Sequence, residues 1–358
     1  MKILEICTFP PNGGYMGGVV SMVDSYLKSK PFFQSFGQTL ELFSAQQHFV
    51  TKNSKLNNLL FFATQRLDLK KHLSINKYDV VHIHTSREFV FLKDIFLLKL
   101  VNQTYGIPVV LTIHVGDVDT VYNRISFFKR RSIKYLNRYC QKVVFLSENM
   151  KNDFIKEGLL EEKTIVLYNF HTFNNLKFPK NSGNNLNLLF VGAIHREKGI
   201  VELLQALSQC SLDYHLNVCG QLTDASIADE VDQLKESLGE KVTFWGYVKG
   251  DDKKSIFEFA DILILPSYHE GLPLVIMEAL GAGCSIISTK VGAIPEVLGN
   301  ENCLWVEVGS VNDITKALQL ISDRTRLYNM QQANYKLGKE YTLEGHLAKL
   351  SYIYQKCF

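Results

Sequence analysis

The stretch Asp261–Val297, DILILPSYHEGLPLVIMEALGAGCSIISTKVGAIPEV, constrains the fold more than any other part of the chain. Ile262–Leu265 is a short apolar run of strand type, stopped by Pro266 and Ser267. Glu270-Gly271-Leu272-Pro273 then opens a helix that reaches about Leu280, and Gly281-Ala282-Gly283 ends it. Ser285–Ser288 reads as the next strand. Strand, helix and strand in this order make a βαβ unit, the building block of a parallel sheet.

Two glutamates bracket that helix. Glu270 precedes it, and Glu278 follows eight residues later, near its last turn. A helix N-terminus presents free N–H groups and a partial positive charge, which suits the phosphates of a nucleotide. Gly271 lets the backbone approach a ligand closely, and Pro273 is preset for the first turn. Glu278 lies in the apolar run Leu274-Val-Ile-Met-Glu-Ala-Leu280, where an unpaired carboxylate is costly to bury. It needs a partner, and a ribose diol is one. Each glutamate alone fits a helix cap or a surface charge equally well.

The whole arrangement, E-G-L-P-x4-E with a glycine-ended helix and a strand behind it, resembles the E-x7-E signature of the retaining glycosyltransferases of family 4, the group 1 type, which have the GT-B fold. That resemblance implies an α/β protein with two Rossmann-like parallel-sheet domains and an active site in the cleft between them. It also implies that Glu270 touches the donor sugar, that Glu278 meets the nucleotide ribose, and that the amides of Gly271, Leu272 and Pro273 face sugar and diphosphate.

A chain of 358 residues, 46% apolar and 21% charged, has material for two ordinary globular domains. No run of about 18 uncharged apolar residues occurs, so no membrane-spanning helix is expected. Met1–Ile6 reads as a first strand rather than a signal peptide, lacking a basic start and a small-residue cleavage site. The seven cysteines are scattered singly, without a C-x-x-C pair. This suits a reducing cytoplasm, with Cys7, Cys140, Cys210, Cys219 and Cys284 expected as buried small apolar residues. Net charge is +3 but uneven: residues 1–178 carry 23 Lys and Arg against 14 Asp and Glu, and 179–358 carry 16 against 22. Halves of opposite sign suggest two domains with different partners.

Along the first half, strand and helix signals alternate. Lys2–Cys7 is strand one, followed by a loop with two glycine pairs and a helix from about Val19 to Lys28. The spacing is not G-x-G-x-x-G, which counts against a dinucleotide site and an NAD-dependent oxidoreductase. Gly17-Gly18 resembles the family's N-terminal glycine loop; a plain flexible turn is the alternative. Thr39–Phe43 is a second strand, and a helix runs through Leu73 after a polar stretch.

Asp79–His84 is an apolar strand whose two histidines, His82 and His84, share one face. They are spaced as metal ligands could be, but no third ligand is evident, so core or cleft histidines are the expected reading. Glu88–Asn102 reads as a core-facing helix. Pro108–His114 is another strand with His114 at its carboxyl end, where ligands bind in open parallel sheets. His114 resembles the family's N-domain histidine, whose side chain lies near the donor sugar. Asp117-Val118-Asp119 is a short match to a D-x-D metal motif, set aside because the resemblance implies a fold that needs no metal.

From Arg124 to Lys142 basic residues interleave with aromatic and aliphatic ones. This pattern fits either an anionic membrane surface or a solvated helix face. Nucleic acid is not expected, since the chain is near neutral overall and shows no binding module. Lys142–Ser147 and Thr164–Tyr168 are further strands, and Asn169 takes the place of the family's Asn-Gly turn. Lys177–Asn187 reads as the linker, giving domains at 1–178 and 179–340. Tyr341–Phe358 is a final helix that, by the resemblance, returns to the first domain.

In the second half, Leu188–Ile194 is a strand, His195–Gly199 a loop and Ile200–Leu207 a helix. Lys198-Gly199 resembles the end of the family's phosphate-binding element G-R-L-x-x-x-K-G, although Ala193 replaces its arginine; Arg196 is a candidate substitute. His215–Gly220 and Val242–Tyr247 are strands. The loop at Gly246-Tyr247 is where family members hold the nucleobase.

The resemblance implies a metal-independent retaining transferase without a cofactor. It would move a hexose from a nucleotide-sugar, a UDP-sugar being favoured, to an acceptor hydroxyl. His114, Lys198 and Glu270 are the candidate catalytic residues. Gly17, Gly18, Arg196, Gly246, Tyr247, Gly271, Leu272, Pro273 and Glu278 are the candidate donor-binding ones. A lipid-linked glycan acceptor in bacterial cell-surface or exopolysaccharide synthesis is the expected partner, at the inner face of the membrane. A sugar-nucleotide epimerase of the same fold and a non-catalytic nucleotide-sugar-binding protein are the alternatives.

Overall fold

The computed structural model describes residues 1–7, 17–44, 55–86, 88–123, 125–174, 176, 178 and 185–358, with the backbone alone at 55–61. The loop at 8–16 and Arg124 lie outside the described residues. The described chain forms two compact units, Met1–Tyr168 with His346–Phe358, and Asn169–Gly345.

The first unit holds a six-stranded parallel sheet of β1 (Lys2–Ile6), β2 (Thr39–Phe43), β3 (Val80–Thr85), β4 (Val109–Ile113), β5 (Lys142–Phe145) and β6 (Thr164–Val166), in the order β2-β1-β3-β4-β5-β6. The second holds β7 (Leu186–Val191), β8 (Tyr214–Cys219), β9 (Val242–Gly246), β10 (Ile262–Leu265), β11 (Ser285–Ser288) and β12 (Cys303–Trp305), in the order β12-β11-β10-β7-β8-β9. Every pairing is parallel. Helices cover both faces of such a sheet, which is why its central strands read as continuous apolar runs. All residues of β3, β4, β10 and β11 are buried.

Strand order reverses between β1 and β3 in the first sheet and between β7 and β10 in the second. Loops leaving neighbouring strands diverge at such a point, and ligands bind there, beyond the carboxyl ends. The loops after β7 and β10 are the ones that carry Lys198 and Glu270.

Several boundaries differ from the sequence reading. The chain from Asn169 to Asn174 packs with the second unit, not the first: the Asn169 side-chain amide donates to the Leu272 carbonyl, and His171 exchanges backbone hydrogen bonds with Tyr341 and Leu343. The final helix is Leu343–Gln355. The helix expected over Glu88–Asn102 is α-helical only to Lys99 and closes in a π-helical turn, Leu100–Thr104. All seven cysteines are free thiols; Cys210, just beyond the helix Ile200–Ser208, is half-exposed rather than buried. No helix among the described residues is long and apolar enough to cross a membrane.

Two glycines hold the loops of the second unit together. Gly199 has φ +70°, and a Cβ there would overlap the carbonyl oxygen of Pro266; Gly292 has φ +57°, and its Cβ would overlap the carbonyls of Glu270 and Gly271. Side chains are excluded at both by conformation and by contact. Gly199→Ala should therefore destabilise the protein by roughly 1–3 kcal/mol, the usual cost of a forced left-handed residue, read as a lower urea midpoint at unchanged slope. An unchanged midpoint would show that the two loops are not held in contact.

Candidate functional site

In the second unit, helix Leu274–Gly281 follows β10 and begins one residue later than expected; Pro273 is its N-cap, with extended backbone, rather than a first-turn residue. Lys198 Nζ lies 2.7 Å from Glu270 Oε1. Ser267 Oγ donates to the same oxygen at 2.8 Å, and Thr289 Oγ1 donates to the Ser267 carbonyl at 2.6 Å. Sequence reasoning chose Lys198 and Glu270 from loops 72 residues apart, and the fold makes them an ion pair. Gly271 and Leu272 are held by their carbonyls, which accept from Ala293 N and from Asn169.

Glu278 is 8% exposed and pairs with Lys253 Nζ at 2.6 Å through Oε1. The partner that the sequence demanded is thus a lysine of the preceding helix, Gly250–Phe259, 25 residues away, which sequence reasoning missed. The other oxygen, Oε2, is buried without a protein partner among the described residues. A buried acceptor left open costs about 1–3 kcal/mol, and a hydroxyl donor would satisfy it.

Other candidates lie elsewhere. The Arg196 guanidinium bonds Glu230 at 2.7 Å, so the fold does not bring it to the Lys198–Glu270 pair. Gly246 ends the edge strand β9 in a left-handed conformation and accepts from Gly220 N at 2.7 Å; Tyr247 follows it at the same edge of the sheet. Gly17 caps the helix Gly18–Lys28 with extended backbone. Asp117 caps Val118–Tyr122, accepting from the Thr120 amide and hydroxyl at 2.6 and 2.8 Å, so its carboxylate has a structural role.

The histidines of the first unit sit in a buried polar cluster. The third candidate ligand that sequence reasoning did not find is Glu5, on β1 beside β3, close enough to His82 and His84 for the three to surround a metal ion. Here their separations are those of hydrogen bonds. Glu5 Oε1 accepts from Tyr354 Oη at 2.7 Å; Oε2 accepts from His84 Nε2 at 2.9 Å and is 3.2 Å from His82 Nδ1. His82 also reaches Tyr354 Oη through Nδ1 and Thr112 Oγ1 through Nε2, each at 2.7 Å. His84 Nδ1 meets His114 Nε2 at 3.0 Å, and Tyr26 Oη meets His346 Nε2 at 2.6 Å.

Burial alone would raise the pKa of Glu5, but the charge of His82 and hydrogen bonds from His82 and His84 outweigh it and hold the carboxyl far below its usual range. Burial lowers His84 to about 4 and His346 to about 3, and pushes His114 well below its ordinary value, with His84 and His82 adding to the effect.

The basic segment is a helix, Lys129–Tyr139. Its apolar residues do not face outward: Ile125, Phe128, Ile133 and Leu136 are buried in the core of the unit, leaving Phe127 exposed. The outer face carries Arg130, Arg131, Lys134 and Arg138, while Lys129 pairs with Glu157.

Two doubly wound parallel-sheet units of this kind define a two-domain glycosyltransferase architecture of GT-B type. Two family descriptions match the chain in succession: Glycosyltransferase Family 4 over residues 37–171 and Glycosyl transferases group 1 over 173–337. The chain belongs to the family 4, group 1 glycosyltransferases. An uncharacterized 41.2 kDa protein in the cps region of Klebsiella pneumoniae is 24% identical over 86% of this chain and 87% of its own length. The O-antigen chain mannosyltransferase RfbU of Salmonella typhimurium is 27% identical over 63% of this chain and 65% of its own. Among solved structures, Anabaena HepE in complex with UDP and glucose superposes with a TM-score of 0.69 at 18% identity, over 98% of each chain.

The buried histidines set an acid limit on stability. Histidines in an unfolded chain titrate near 6.5, whereas His84 and His346 take up protons in the folded protein only near 4 and 3. Between about pH 6.5 and 4 the unfolded state binds more protons, so stability falls as pH falls through that window. Glu5, protonated more easily when unfolded, adds to the loss below it. The urea midpoint should drop between pH 7.5 and 5, with a loss on the order of 2–4 kcal/mol. A flat profile would mean that these histidines are charged in the folded protein.

Proposed function

We propose that this protein is a retaining hexosyltransferase that takes its sugar from a nucleotide-sugar, with UDP as the favoured nucleotide, and attaches it to an acceptor hydroxyl. The observation that carries the reading is the Lys198–Glu270 pair at the strand reversal of the second sheet, with the buried open oxygen of Glu278 on the adjoining helix. Departure of a nucleoside diphosphate leaves negative charge on phosphate oxygens. Lys198 and the start of helix Leu274–Gly281 supply the compensating positive charge, and no metal is assigned a role. Glu270 holds sugar hydroxyls, and Glu278 Oε2 accepts from the ribose diol. His114 orients the donor sugar, as the family resemblance implies. Retention follows from same-face attack through an oxocarbenium-like state.

The acceptor is a lipid-linked glycan of bacterial cell-surface polysaccharide synthesis, a reading supported by the similarity to an O-antigen mannosyltransferase. The cationic face of helix Lys129–Tyr139 would meet an anionic membrane by charge rather than insertion, because its apolar side is committed to the core. Binding to vesicles containing phosphatidylglycerol should weaken steeply from 50 to 300 mM salt. Equal binding to neutral vesicles would contradict this electrostatic reading.

Nucleotide choice is tested by thermal shift with UDP, GDP, ADP and NAD on wild type and Glu278→Ala. UDP should raise Tm in the wild type and lose its effect in the variant. Stabilisation by NAD alone, or by nothing, would overturn the transferase reading. With a turnover assay established, Lys198→Ala should lower kcat by ~10²–10³, the usual effect of removing one group that stabilises developing charge; unchanged turnover would remove Lys198 from the chemistry. Conversion of the donor to an isomer without acceptor would identify an epimerase instead.

A further inference from the structure

The cluster in the first unit fixes more than the position of His114. Glu5 is fully buried one residue before the carboxyl end of β1, and its partners come from β3 and the closing helix: His84 Nε2 at 2.9 Å and Tyr354 Oη at 2.7 Å. An ionised carboxylate only accepts hydrogen bonds, so the hydrogen shared with His84 sits on Nε2. A neutral imidazole carries one N–H, which leaves His84 Nδ1 as a bare acceptor. Its neighbour, His114 Nε2 at 3.0 Å, must then donate. His114 in turn has its lone pair on Nδ1, for which no partner exists among the described residues.

We propose that Glu5 and His84 are positioning residues that lock His114 in the Nε2–H tautomer, so that His114 presents a hydrogen-bond acceptor and selects a hydroxyl donor of its ligand. The part about the ligand rests on the reading of His114 as a sugar contact; the tautomer does not. In this arrangement His114 is no general acid, because its single hydrogen is committed to His84.

The groups facing the chain on other elements are consistent with it. Tyr354 on the closing helix stays protonated, since burial and Glu5 raise its pKa well above the usual range, and its hydrogen goes to Glu5. The hydrogen between Tyr354 and His82 therefore sits on His82 Nδ1, which points it toward the same carboxylate. Tyr26, whose ring centre is 6.2 Å from that of His84, is likewise kept protonated by burial and is engaged with His346. His346 is neutral, with burial, Lys349, His82 and His84 all lowering it against the Tyr168 carbonyl. Among the described residues no group around His84 offers a second acidic partner that would reverse the order of donors.

The test is a long-range ¹H–¹⁵N correlation spectrum of histidine-labelled full-length protein at pH 7.5, with His114 assigned by loss of its signals in His114→Asn. The expected wild-type pattern for His84 and His114 is two neutral rings protonated at Nε2. A His114 ring protonated at Nδ1, or at both nitrogens, would overturn the proposal. Glu5→Gln replaces a pure acceptor by a group that also donates, and His114 should then show mixed tautomers; an unchanged pattern would remove Glu5 from the chain. If Glu5→Gln does not fold, the wild-type spectrum decides alone. Stoichiometric metal in purified protein, released by chelator with a change in these signals, would also overturn it, because Glu5, His82 and His84 would then be ligands. Once turnover of a UDP-sugar is established, folded Glu5→Gln should lose about tenfold in kcat/KM, the worth of one hydrogen bond to a reacting ligand. The expected tautomer with full activity in His114→Asn would refute the sugar contact and leave the tautomer lock standing.

Discussion

Parallel strands put all their carboxyl ends on one edge of a sheet, and this constraint governs where chemistry can occur in the protein. A strand buried on both faces has little room for polar side chains, so such groups collect where the chain leaves the sheet. Order reversal between β7 and β10 then decides which loops meet. The loop from β7 brings a lysine and the loop from β10 brings a glutamate, and Gly199 and Gly292 let the backbones close to van der Waals contact around them.

Against that background Glu5 and Glu278, both buried, are treated in opposite ways. Glu5 breaks the rule by sitting inside a strand, and the protein surrounds it with donors from His82, His84 and Tyr354 until both oxygens are occupied. Such a charge ties together β1, β3 and the C-terminal helix, elements separated by up to 349 residues. Removing one partner would strand a buried charge, the costly way to break such a group. Glu278 obeys the rule, lying in a helix behind a strand end, and among the described residues its side chain has Lys253 alone as a partner. One oxygen is satisfied and one is not, which is a poor device for stability and a good one for accepting a hydroxyl.

The sequence made the second unit more legible than the first for the same reason. Strand, glycine and helix signals in Asp261–Val297 are local, and so is the register that puts Glu270 before a helix and Glu278 inside it. Lys198 and Glu270 could be chosen separately because each ends a strand-loop-helix segment. Lys253 could not, because nothing local links a lysine on one amphipathic helix to a carboxylate on the next. Glu5 looked like an ordinary polar residue in a first strand; its meaning lies in β3 and in Tyr354, which only the fold brings near. The basic helix was legible only in part. Its alternation of charge and aromatic is real, but the same amphipathic pattern serves a helix docked on its own core, and Ile133 and Leu136 are docked there.

The two units therefore contribute different kinds of polar group. In the second, formal charges are held in pairs at the sheet edge: Lys198 with Glu270, and Lys253 with Glu278. Charges so paired can be exchanged for those of a ligand at little cost in desolvation, because they are already partly withdrawn from water. In the first, one carboxylate is sealed below the surface and its influence reaches His114 through a neutral histidine. A neutral imidazole of fixed tautomer discriminates by the direction of a hydrogen bond and is indifferent to charge over the physiological pH range.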